Sequence, residues 1–166
     1  MGSALRLSEL YHFRIHDTSL KLYKRVGESN EHVLMKALGY ALFNKAYPAL
    51  EIERDLGWRY KPDLVALDDQ GGIDFWGECG SVGLRKIGWL AKHSRAQRIV
   101  FFKWGLTVQA AQSFISQVQD EVLERYRPDA RLMLINFVAE VIEESLRENG
   151  TEIREVPAAW YQQYDI

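Results

Sequence analysis

Two stretches limit the fold of this chain more than any others: RIVFFKW (98–104) and RLMLINF (131–137). The first is an apolar, β-rich run of the kind that forms a strand buried on both faces, and the second reads as another strand. Between them, Val108 to Tyr126 carries the pattern of a long helix. Strands that alternate with helices must build layers, a sheet with helices packed against it. Upstream, residues 7–16 alternate with Tyr11, Phe13 and Ile15 on one face, and 20–25 alternates less cleanly. They predict a strand pair joined at Asp17-Thr18-Ser19. Ser29 is placed to cap a helix over about 30–46, whose apolar stripe is Val33, Leu34, Ala37, Leu38 and Ala41, ended before Pro48. A hairpin follows from Pro62 to Gly80, then a helix from Leu84 through about residue 94. After RLMLINF come a helix over 138–148 and a short last strand, TEIREV (151–156). The order ββαββαβαβαβ predicts an α/β fold with a mixed central sheet flanked by helices. The closing AAWYQQYDI is expected to pack on its own domain, the alternatives being a covered sheet edge or a second subunit.

At 166 residues the chain is expected to form one domain, 1–166, burying roughly 70% of its unfolded surface. No run approaches the ~18 apolar residues of a membrane span, and the N-terminus lacks a charged-then-apolar signal pattern. A lone cysteine, Cys79, excludes an internal disulfide framework. Together these predict a soluble, cytoplasmic protein.

Charge is unevenly spread. The net charge is −2, yet no Asp or Glu lies between Glu78 and Asp120, an interval holding Arg85, Lys86, Lys92, Arg95, Arg98 and Lys103. Either this segment faces a polyanion, or its cations lie on solvated faces with acidic partners elsewhere in the fold.

The hairpin PDLVALDDQGGIDFWGECG carries the most specific signal. With Asp69-Gln70-Gly71-Gly72 as its loop, Asp68 pairs with Ile73, Val65 with Trp76, and Asp63 with Glu78. Directly opposed residues have Cβ atoms about 4.5–5.5 Å apart, where like charges repel. A cation between them, or a proton kept by one carboxyl, relieves the conflict, and both remedies describe a site. Hard oxygen donors suit magnesium or manganese better than zinc. Cys79 alternates to the other face and reads as a small core hydrophobe, while Trp76, on the carboxylate face, either walls a pocket or belongs to the core. Other chemistries are missing their marks. There is no GxxxxGK[ST] loop, no dinucleotide fingerprint, no HExxH or Cys-paired zinc spacing for His12, His16, His32 and His93, and no GxSxG elbow.

Pro62-Asp63, a run to an acid on the next strand, and a nearby lysine resemble the motif of the PD-(D/E)XK nuclease superfamily, the restriction-endonuclease-like fold. Within it the chain resembles the YaeQ family. The likeness runs through the opening YHFRIHDTSLKLY, the helix after Glu28-Ser29-Asn30-Glu31, the phrase GIDFWGECG, the basic RKI that starts the next helix, and the apolar strand after it. One departure matters. The superfamily usually has lysine two residues after the second acid, and that position here is Gly80. In YaeQ-like proteins the lysine has moved into the following helix, which points to Lys86, with Lys92 as second choice. The resemblance implies that Asp63, Glu78 and the Cys79 carbonyl hold Mg2+ or Mn2+, and that Lys86 serves the attacking water and the phosphate. Glu31 would be the acid that the superfamily often carries on its first helix; an acid in a first turn also simply complements the helix dipole. Arg85, Lys92 and Arg95 would contact the phosphates of DNA or RNA. The expected function is metal-dependent phosphodiester hydrolysis; the alternative is a non-catalytic nucleic-acid or protein interaction module on the same scaffold.

Overall fold

The computed structural model describes residues 8–16, 18–150 and 152–166. The elements in chain order are β1 (Ser8–Ile15), β2 (Thr18–Arg25), α1 (Asn30–Phe43), β3 (Glu51–Ile52), β4 (Leu64–Leu67), β5 (Ile73–Cys79), α2 (Leu84–Trp89), β6 (Arg98–Trp104), α3 (Val108–Val118), β7 (Arg131–Phe137), α4 (Ala139–Asn149), β8 (Glu152–Ile153) and β9 (Tyr161–Asp165). Two helices continue into π-helical turns, α2 over Leu90–Ser94 and α3 over Gln119–Leu123. Leu7, Asp17 and Thr151, expected in the first strand, the turn and the last strand, lie outside the described residues.

Nine strands form two sheets among the described residues, where the pattern predicts one. The larger has the order β3-β4-β5-β6-β7-β9, with β5, β6 and β7 parallel and the other pairs antiparallel. The smaller has the order β2-β1-β8, so the opening hairpin and the short strand near residue 152 stand apart from the central sheet. The reason lies in α1. Phe13, Ile15 and Leu22 of the small sheet pack into one cluster with Val33, Ala37 and Leu38 of α1 and with Phe75 and Phe102 of the large sheet. A helix held between two sheets is buried nearly all round, which α1 is from Met35 to Gly39.

Alternation along the central strands sorts their side chains onto two faces. Val100, Phe102, Met133 and Ile135 join the α1 cluster, while Ile99, Phe101, Leu132 and Leu134 pack with Ile87, Leu90, Ala111 and Val118 beneath α2 and α3. Gly39 sets how closely α1 lies on the sheet, and Gly77 how closely side chains pack over the central strands. A Cβ on Gly39 would sit 2.8 Å from Leu64 Cδ1, and one on Gly77 would sit 3.0 Å from Leu64 Cβ.

The closing residues are a strand. β9 pairs antiparallel with β7 and covers that edge of the large sheet. No helix among the described residues is long and apolar enough to cross a membrane.

Candidate functional site

Hairpin register decides where the carboxylates fall. Leu64 opposes Gly77 and Val65 opposes Trp76, as the four-residue loop predicts. Nearer the loop the pairing slips, so Leu67 rather than Asp68 opposes Ile73, with the irregularity at Ala66/Leu67. Asp68 instead organises the turn: its Oδ1 accepts from the N–H groups of Gln70 and Gly72. The slip lies on the far side of the hairpin from the site; at the site end the pairing stops at Leu64 and Gly77, and the predicted opposition of Asp63 and Glu78 is not part of the ladder. Asp63 lies just beyond β4, its N–H donating to the Gly77 carbonyl at 3.1 Å and its carbonyl accepting from Glu53 N–H.

Each carboxylate is held by donors from different elements. Asp63 Oδ2 accepts from Cys79 N–H at 2.8 Å, and Oδ1 lies 3.3 Å from Nε2 of His32, in the first turn of α1. Glu78 Oε1 accepts from Trp76 Nε1 at 2.8 Å, and Oε2 accepts from Lys86 Nζ, also at 2.8 Å. Lys86 reaches back from α2 with its side chain 24% exposed, while that of Glu78 is only 5% exposed. The two acids therefore face different environments. Burial pushes the Asp63 carboxyl up, but the hydrogen bonds from His32 and Cys79 N–H outweigh it and hold the group below the usual carboxylate range. Burial pushes Glu78 up, the charge of Asp63 pushes it further, and Lys86 and Trp76 offset only part of this. Two interacting carboxyls with opposite displacements are the arrangement from which acid and base roles are built.

Asp63, Glu78 and Lys86 are thus brought together. Glu31 is not: it occupies the first turn of α1, and among the described residues it makes no hydrogen bond or ion pair with this group. The neighbouring His32 takes that place, since only the side of α1 facing the end of β5 reaches Asp63. Cys79 contributes its backbone N–H, while its thiol is buried in the α1 cluster and pushed well up by burial and by the nearby carboxylates. Trp76 is both core and site, fully buried with its indole N–H on Glu78. Arg85 and Lys92 line one cavity beside the site, and Lys92 and Arg95 line a second.

The chain superposes on the crystal structure of the YaeQ protein from Xanthomonas axonopodis pv. citri with a TM-score of 0.63, covering 96% of this chain and 90% of that one at 22% identity. Against the YaeQ protein from Pseudomonas syringae the TM-score is 0.64, over 96% and 93% of the two chains, at 14% identity. The chain has the YaeQ fold. No family model matches the sequence, and no curated protein matches it.

In this YaeQ-like fold, Gly80 follows β5 with φ +83°, in the left-handed region that side chains other than glycine rarely adopt. A lysine there would strain the turn, so the cation beside Glu78 comes from α2 instead. The Gly80 carbonyl accepts from Lys103 Nζ at 2.6 Å, and burial pushes the Lys103 amine down. Lys103 also lies 4.7 Å from the centre of the Phe114 ring. The signal for it was available: a lysine inside the apolar run RIVFFKW must find an acceptor.

Three more charged residues form a network behind Asp63. Lys36 of α1, 2% exposed, donates to Glu28 at 2.6 Å and to Glu53 at 2.5 Å. Its burial alone would lower the Lys36 pKa, but the two carboxylates outweigh this and raise it. Glu28 also lies 3.7 Å from His32, so the network ends on Asp63. His32 and Lys36, four apart, share one side of α1, and Glu28 meets both from just before the Ser29 cap.

The donor chemistry fits a hard divalent cation. Asp63 and Glu78 offer oxygen donors, and the anion of Glu78 is disfavoured by burial and by the charge of Asp63. Among the described residues no three His, Cys, Asp or Glu side chains form a ready-made cage. Magnesium does not need one, because it keeps several waters and takes one or two carboxylates with substrate phosphate.

Proposed function

We propose that the protein is a metal-dependent phosphodiesterase acting on nucleic acid, with Asp63, Glu78 and Lys86 as its working residues. One observation carries the reading: a lysine ammonium 2.8 Å from a buried carboxylate that is driven up by its burial and by a second carboxylate. A binding module gains nothing from a part-exposed acid set near a buried one, whereas hydrolysis uses both. The likeness of Pro62-Asp63, Glu78 and Lys86 to the PD-(D/E)XK pattern points the same way.

When bound, a Mg2+ or Mn2+ ion held by Asp63 and Glu78 supplies an acidified water and polarises the scissile phosphate. Asp63 is fixed for this by Cys79 N–H, and Glu78 by the indole of Trp76. Lys86, whose Nζ rests on Glu78 and whose side chain is part-exposed, would be the cation able to reach a phosphate oxygen and offset the charge that builds there. His32 keeps Asp63 ionised and ties it to α1. The basic segment beside the site holds the flanking phosphates.

The test is cleavage of end-labelled DNA and RNA, single-stranded and duplex, with Mn2+ or with chelator. The reading expects products only with metal, and about a 100-fold or greater loss on Lys86→Met. One observation favours the non-catalytic alternative: each of the four carboxylate oxygens already has a donor within the protein. Absence of metal-dependent cleavage on all four substrates would establish that alternative in its place.

A further inference from the structure

A cavity of about 380 Å3 opens beside Lys86, between the loop before β4, α2, and the turns that end α3. Four cations line it, Arg59, Arg85, Lys92 and Arg125, against one acid, Glu121. Aromatic rings make up the rest of its polarisable wall. Trp89 meets Tyr60 edge to face at 5.3 Å and His93 at 5.5 Å, and Tyr126 lies under Lys92. Arg59 and Lys86 both lie over Tyr60, at 5.4 and 5.3 Å. Lys86 therefore touches both the cavity wall and Glu78, which places the cavity one side chain from the carboxylates.

Both π-helical turns contribute to this one cavity, Lys92 and His93 from the first, Glu121 and Val122 from the second. Such turns interrupt the regular hydrogen-bond ladder at a cost and recur where a helix must aim side chains at a ligand.

We propose that this cavity receives one nucleotide of a single-stranded polynucleotide, its phosphate held by Arg85, Lys92 and Arg125 and its base laid against Trp89 and Tyr126. Positive charge with interleaved aromatic faces is the chemistry that binds unpaired strands, since every base has a π-face. A duplex keeps its bases stacked inside and offers only phosphates, so it would leave the rings unused. The proposal rests on the phosphodiesterase reading and names the substrate class of that site.

Fluorescence anisotropy in chelator tests it without requiring hydrolysis, using short labelled DNA and RNA single strands and a DNA duplex of equal length. The single strands are expected to bind about tenfold more tightly than the duplex, and to lose about tenfold in affinity on Trp89→Leu or Tyr126→Leu. Arg85→Ala and Lys92→Ala, both at exposed positions, should each flatten the salt dependence by about 0.7 in log–log slope. Arg154→Ala, remote and exposed, should bind as the parent does. Duplex binding as tight as single-strand binding, or aromatic variants that fold and bind unchanged, would overturn the proposal. Should the aromatic variants not fold, unchanged affinity in both exposed-cation variants overturns it equally. Binding that follows the expected pattern without any metal-dependent cleavage would strike the hydrolase reading and leave the nucleotide site standing; cleavage without this pattern would do the reverse.

Discussion

Asp63→Asn and Glu78→Gln should move the melting temperature in opposite directions. At neutral pH the fold favours ionised Asp63, because the gain from His32 and Cys79 N–H exceeds the cost of burial. Asparagine can still accept from Cys79 N–H but loses the charge-assisted part of both contacts, about 1–2 kcal/mol. For a chain of this size each kcal/mol is about 2–4 °C, so Asp63→Asn should melt about 2–8 °C lower. Glu78 is the reverse case. Burial and the Asp63 charge disfavour its anion more than Lys86 and Trp76 favour it. Glutamine keeps an acceptor for Trp76 and frees the part-exposed Lys86 to water, so a gain of up to about 1 kcal/mol, or 2–4 °C, is expected. The pH dependence separates the causes. A raised folded-state pKa for Glu78 gives stability that is complete below its unfolded value, 4.5, and is lost as pH rises through the folded value. The advantage of Glu78→Gln must therefore grow with pH across that window. The lowered Asp63 contributes stability above 3.8 that is lost as pH falls through its folded value, so the deficit of Asp63→Asn must shrink in acid. Calorimetric melts in chelator from acid to neutral pH read both. Two shifts of the same sign would refute the assignment of opposite environments to the two carboxyls.

Gly80→Lys, which restores lysine to the position usual in the superfamily pattern, should cost about 1–2 kcal/mol by denaturant melt, because φ +83° is strained for any side chain, and should not replace Lys86 in a Lys86→Met background. Gly77→Ala should lose about 1–3 kcal/mol, since its Cβ would press on Leu64, Phe102 and Phe75 at 3.0–3.1 Å. Lys36→Met leaves Glu28 and Glu53 facing each other without their shared cation and should cost about 3 kcal/mol near neutral pH. The raised Lys36 contributes stability that is complete below 10.5 and fades as pH rises through its folded value, so the gap between parent and variant should close only in strong alkali.

Elements whose hydrophobic period is long or whose core is continuous were readable from sequence: β6 and β7 fall on RIVFFKW and RLMLINF, and α1 is capped by Ser29. β9 was not, because YQQYD has the composition of a half-exposed edge and earns its strand only from pairing with β7. Nor does alternation in β1 and β2 say which sheet they join; that follows from α1 being covered on both sides, which a stripe of five apolar residues does not reveal. At the site, Asp63 and Glu78 stood out as the acids at the two ends of the hairpin, and Lys86 only through the resemblance to the YaeQ family. His32 was hidden because its role depends on how α1 packs beside Asp63, a residue 31 positions away, which no local pattern reveals. Arg59 and Tyr60 reach the cavity from a loop without periodicity, and Arg125 from beyond the acid-free interval, so neither pattern pointed to them.

Titration calorimetry of Mn2+ into the parent, Asp63→Asn and Glu78→Gln bears most directly on the central claim, that the two carboxylates form a cation site. Binding of one ion per chain by the parent, weakened or lost in both variants and accompanied by a rise in the parent's melting temperature, is the predicted result. A parent that takes up no Mn2+ at neutral pH, or that binds it equally well after either substitution, would contradict the claim and leave Asp63 and Glu78 as partners of His32 and Lys86 alone.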